Sequence, residues 1–189
     1  MKLRVTGIQR VRLAGVALLV FSLVPGCGRP PDEAWLRFLG FKQGDKTISV
    51  FEDQLRGKST ATVDVAFENR SLFVGQNGGT GILVRHARVD YRMSGFSPPA
   101  AEHDLYLYLR PPESKAGASA VTGTLTGFPL APAALKQWLI ATRAFDSAVD
   151  TPVVALTARV TFSGETDEGG TIQIVGSIGV ALTNTGATP

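Results

Sequence analysis

Cysteine is all but missing from this sequence: there is one in 189 residues, beside two histidines, two methionines and two tryptophans. A single thiol excludes an internal disulfide, a thiolate zinc cage and an iron–sulfur site. No heptad pattern runs through the chain, which excludes a coiled-coil fibre. The apolar run Leu13–Val24 spans only twelve residues, short of the roughly 18 that a membrane-crossing helix needs, and no later run is long enough either. The basic surplus is lopsided. Four of the 19 Lys and Arg residues (Lys2, Arg4, Arg10 and Arg12) fall in residues 1–26, which hold no acid, so 15 basic side chains face 16 acidic ones in the remainder. No basic stripe is left there, and nucleic acid is not an expected partner. What is abundant is apolar: 44% hydrophobic against 19% charged. That excludes a disordered chain and supplies the core of one domain.

The first 28 residues read as an address. Met1–Arg12 is basic, Leu13–Val24 (LAGVALLVFSLV) is apolar, and small residues follow, the layout of a secretory signal peptide. Val24-Pro25-Gly26-Cys27 then resembles the bacterial lipobox, with Pro25 where a small residue is more usual. The resemblance implies a signal peptide over residues 1–26 and a cut between Gly26 and Cys27. It further implies diacylglycerol on Cys27 and an acylated new amino terminus. Several acyl chains, at ~0.8 kcal/mol per buried CH₂, hold a protein to a bilayer where one chain does not. The implied partner is membrane lipid through acylated Cys27. Gly28 is not the Asp that retains lipoproteins in the inner membrane under the enterobacterial sorting scheme. By analogy with that scheme, the expected location is the outer membrane, facing the periplasm.

Residues 27–33 read as a lipidated tether, because the paired prolines of Arg29–Asp32 (RPPD) favour extended backbone. Residues 34–185 read as one domain of short strands. Ala34–Phe41 (AWLRFLGF) fits a helical turn or a first strand, and strand is favoured. Val63, Val65 and Phe67 alternate with Thr62, Asp64 and Glu68, the pattern of a half-buried strand. Ala87, Val89, Tyr91 and Met93 continue the pattern, but Ile82 and Val84 are out of phase with them, which predicts a bulge near Arg85. Leu105, Leu107 and Leu109 alternate with Tyr106, Tyr108 and Arg110, and Val121 and Leu125 alternate with threonines. Leu156–Phe162 and Ile172–Leu182 flank a turn over residues 164–170, predicting a C-terminal hairpin. Leu135, Trp138, Leu139 and Thr142 fall at helical spacing behind Pro132. The expected fold is all-β: an antiparallel β-sandwich with one short connecting helix, a barrel being less well matched by the uneven strands.

Val63–Asn69 (VDVAFEN), Arg88–Ser94 (RVDYRMS) and Ala158–Val180 resemble a group of uncharacterised bacterial lipoproteins with an immunoglobulin-like β-sandwich. The resemblance covers roughly residues 48–182. Plant desiccation-related sandwich domains are similar more loosely. The resemblance implies an immunoglobulin-like layout and assigns no catalytic residue.

Candidate chemistry is sparse. His86 lies on a polar strand face and reads as solvated. His103 stands between Glu102 and Asp104, whose side chains leave a strand on the face opposite to its own and cannot share an ion with it. Asn77-Gly78-Gly79-Thr80-Gly81 lacks the Lys-Ser/Thr and the helix of a phosphate cradle. Glu165, Asp167 and Glu168 lack the ligand spacing of a calcium loop. Gly176-Ser177-Ile178-Gly179 has the wrong spacing for a nucleophile elbow. Tyr106 and Tyr108 share the face opposite the leucines and form either a second buried face or an exposed aromatic patch, the buried face being favoured. No enzyme, cofactor or metal is therefore expected. The leading expectation is a membrane-anchored envelope module that binds or scaffolds a protein partner without catalysis. The alternative is a carrier of an apolar ligand or lipid between envelope membranes, with a cavity lined by Leu105, Leu107, Leu109 and the Trp138–Leu139 helix.

Overall fold

Alternating apolar and polar side chains give a strand one face for a core and one for water, and nine strands form on that principle among the described residues. The structure is a computed structural model that describes residues 34–71, 79–112, 120–145 and 153–183. Gly26, Cys27 and the whole segment before Ala34 lie outside the described residues, as do Asn77 and Gly78 of the glycine-rich stretch. The elements are β1 (Ala34–Gln43), β2 (Lys46–Ile48), β3 (Val50–Gln54), β4 (Ala61–Ser71), β5 (Ile82–Arg92), β6 (Ala101–Leu109), β7 (Ala120–Ala131), α1 (Ala133–Ala141), β8 (Val153–Thr166) and β9 (Thr171–Thr183). They make two sheets, ordered β2-β1-β4-β7 and β3-β9-β8-β5-β6. The inner faces of both contribute to one core, so the expected all-β sandwich with one helix is the fold observed.

One pairing departs from the antiparallel expectation. β3 runs parallel to β9, from Val50 opposite Gly179 to Gln54 opposite Thr183, which makes the five-stranded sheet mixed. The chain leaves β2 at the edge of one sheet and enters β3 at the edge of the other. Between them the Ser49 carbonyl accepts the Gly179 N–H at 3.1 Å. A hairpin cannot close a parallel pair, and here β4 to β8 all intervene between the two strands.

β1 is a strand, and its helix-like spacing comes from a bulge. The register with β4 slips between Phe38 and Gly40, and Gly40 takes a φ of 129° that side-chain-bearing residues rarely adopt. The slip turns both Phe38 and Phe41 inward, with ring centroids 5.1 Å apart. The bulge expected near Arg85 is present, with β5 slipping against both neighbours between Val84 and His86. Val84 and Ala87 are therefore both buried.

Aromatic rings fill the space between the sheets. Phe67 of β4 meets Phe162 of β8 edge-on at 4.9 Å, and Phe128 of β7 lies 5.5 Å from the same ring. Tyr91 is buried, and its hydroxyl donates to the Leu130 carbonyl at 2.9 Å. Burial pushes that hydroxyl's pKa well up. α1 packs Leu135 and Leu139 into the core. The C-terminal turn is tighter than expected, because Gly164 and Glu165 still pair with Ile172 and Thr171.

Candidate functional site

Asp167 organises the site. It stands at the tip of the β8–β9 hairpin, where its backbone N–H donates to the Gly81 carbonyl at 3.0 Å. Its Oδ2 accepts the Gly81 N–H at 3.0 Å and the Tyr108 hydroxyl at 2.9 Å. A side chain at position 81 would run into both the Asp167 carboxylate and the Tyr108 hydroxyl, so a larger residue there would displace that pair. Donation to Asp167 is the main cause raising the pKa of the Tyr108 hydroxyl. The hairpin tip, the start of β5 and the edge strand β6 are thereby fastened together.

Strand register lines up the rest. Tyr108 lies opposite Leu83, Leu83 opposite Glu165, and Glu165 opposite Thr171, a row across the outer face of the five-stranded sheet. The β5 bulge turns Arg85 outward, where its guanidinium meets the Glu165 carboxylate at 2.6 Å. Two shallow hollows of about 510 Å³ each adjoin at Glu165. Tyr106, Tyr108 and Leu83 line one; Arg85, Thr171 and Gln173 line the other.

The tyrosines correct the expectation of a second buried face. Tyr106 is 81% exposed and Tyr108 43%. β6 is an edge strand of a two-layer structure, and the helix that could have covered it follows β7 at the far end. Tyr91, by contrast, is core, and Trp138 packs partly buried against the core. Trp35 lies in β1, its side chain outside the described residues.

The histidines part as the strand alternation requires. His86 is outward and half-buried, its Nδ1 3.6 Å from Asp104. His103 faces inward, edge-on to Phe128 at 5.5 Å, with its Nε2 buried and without a hydrogen-bond partner. Burial, and then the neighbouring His86, lower its pKa. Among the described residues no group of three His, Cys, Asp or Glu side chains could hold a metal ion. Ser177 is an exposed β9 residue. Leu109 and Leu139, expected to line a carrier's cavity, are fully buried core residues, and Leu105 and Leu107 are partly buried against the same core.

Two buried polar groups were not anticipated. Lys136 sits on the inner face of α1 with its side chain 2% exposed, paired with Asp53 of β3 and donating to the Ser59 carbonyl at 3.1 Å. Asn69 is 1% exposed, and its Nδ2 donates to the carbonyls of Thr80 at 2.9 Å and Arg110 at 3.1 Å. A phase signal existed for both. Asn69 continues the inward series Val63, Val65 and Phe67, and Lys136 lies three residues before Leu139 on the buried stripe.

Two facing sheets with a tyrosine-lined hollow on one outer face define the class: an all-β sandwich with a candidate site on its surface. No protein-family model matches the chain, and no curated protein does.

Proposed function

We propose that this protein is an envelope lipoprotein, cut between Gly26 and Cys27 and held by acyl chains on Cys27, that serves as a non-enzymatic binding or scaffolding module. The observation that carries the reading is the order of parts. A basic segment, a short apolar run and Val24-Pro25-Gly26-Cys27 come first, and the first strand of a two-sheet core begins at Ala34. Lipidation at Cys27 then precedes every strand among the described residues and leaves their fold untouched. Gly28 favours the outer membrane, facing the periplasm. The outer-face hollow supports binding over catalysis: its carboxylates are engaged by Arg85, Gly81 and Tyr108, and neither histidine lines it.

Labelled palmitate tests the anchor. The wild-type protein should incorporate label and run 26 residues shorter than its precursor. Cys27→Ser should take up none and persist as precursor or leave the membrane. Equal labelling of the two forms would overturn the assignment.

A further inference from the structure

The end of the sandwich where β1 begins is also the end toward which the exposed Tyr106 and Tyr108 lie, whereas the exposed Phe96 follows β5 at the other end. Ala34 lies opposite Ser71, and Arg70 opposite Ala120. The Asn69 amide ties Thr80 and Arg110 to that same level, and Ile82 lies opposite both Leu109 and Thr166. The starts of β1, β5 and β7 and the ends of β4, β6 and β8 therefore share one end. The other end holds Gln54 beside Thr183 and Ala61 beside Ala131, which leads into α1.

Tyr106, Tyr108 and Arg110 occupy alternate, exposed positions along β6 and just past it, stepping toward the β1 end. Of the acidic groups beside the tyrosines, Glu165 is held by Arg85 and Asp167 by Tyr108 and Gly81, while Asp104, exposed on the same face two residues before Tyr106, lies 3.6 Å from His86. The stripe thus presents two aromatic rings and a guanidinium.

Chain length says what the stripe can reach. Seven steps of backbone separate Cys27 from Ala34, a contour of at most about 25 Å. Two strand spacings from β1 to β7, and one sheet-to-sheet step down to β6, put the β6 backbone about 15 Å from Ala34, and the outward side chains of the stripe about 20 Å away, still within that contour. A tether of that length lets the stripe touch the surface holding Cys27. It also keeps the opposite end, one strand length away (about 45 Å along β8), off that surface. Tyrosine rings, apolar in body and polar at the tip, favour the headgroup level of a bilayer. An arginine beside them suits lipid phosphate.

We infer that the Tyr106–Tyr108–Arg110 stripe lies against the phospholipid headgroups of the membrane that holds Cys27, setting the sandwich at a defined tilt. This rests on the lipidation proposed above and names the partner of the outer-face site as lipid.

The test uses the full lipidated protein in vesicles of phosphatidylethanolamine and phosphatidylglycerol. Benzoylphenylalanine replaces Tyr106 in one preparation and, in another, Val153, an exposed residue at the far end of β8. After illumination, intact-mass measurement reads acylation and crosslinks together. Position 106 should give a one-phospholipid adduct at least fivefold more abundant than position 153, and Arg110→Glu should cut that adduct by half or more. Equal adducts at the two positions, or adducts at 106 with protein alone, on protein that carries its acyl mass, would overturn the membrane contact and leave the lipoprotein reading standing. Absence of the acyl mass would overturn both.

Discussion

Lys136 is an ammonium placed inside a protein with one carboxylate and one carbonyl for company. Taking such a charge out of water costs several kcal/mol, and the pair with Asp53 recovers that only while both partners stay. Lys136→Met should therefore destabilise the fold by about 2–4 kcal/mol, toward the low end because Asp53 keeps 24% of its side chain exposed. Adding Asp53→Asn should restore most of the loss, as read by denaturant unfolding of the single and double variants. A double variant no more stable than the single one would show that the pair is not what the helix depends on. The burial itself was written in the helical phase, since Lys136 falls on the stripe of Leu135 and Leu139. Its partner was not legible, because Asp53 lies far back along the chain, on an edge strand whose sheet neighbour is the distant β9. Asn69 teaches the same lesson: its inward phase is visible in the sequence, but the two carbonyls it serves are not.

At the scale of elements, bulges account for most of what was readable and what was not. A bulge leaves an apolar pair three apart inside a strand, so Val84 and Ala87 announced one at Arg85, while Phe38 and Phe41 imitated a helix in β1. At the Arg85 bulge, β8 approaches so closely that a Cβ on Gly164 would sit 2.9 Å from Leu83 C and Val84 Cα. Gly164→Ala should thus cost about 1–3 kcal/mol through forced backbone movement, measured by thermal unfolding. It should also loosen the Arg85–Glu165 pair across the hollow. β6 carries a different liability. The pKa of His103 is lowered in the folded chain, so the unfolded chain binds its proton first as pH falls. Stability is full above the ordinary histidine value of about 6.5 and declines below it, levelling off once the folded form is also protonated. The wild type should melt at a lower temperature at pH 5.5 than at pH 7.5, and His103→Leu should shrink that difference. An undiminished difference would assign the acid sensitivity to other groups. The exposed tyrosines of this strand eluded the sequence because alternation fixes which side they share and says nothing of whether a third layer covers it.

For the molecule as a whole, the two-sheet architecture, the inward residues of β4, β5, β8 and β9, and the helix were legible, because each follows from a local period. Pairing order was not, and the parallel edge strand shows why. β3 lies early in the domain and β9 closes it, so their contact joins nearly the whole chain into one loop. Early segments can fold back at once: β1 finds β2 and β4 within a short stretch. β3 must wait, its backbone hydrogen bonds unanswered until the final strand has been delivered. A chain emerging amino terminus first would hold an open, adhesive strand edge until β9 arrived. Long-range closures of this kind are the slow step of β-rich folding. Completion of the domain is therefore an event of the last thirteen-residue strand, and a polypeptide cut short before β9 leaves both β3 and β8 as templates for aggregation.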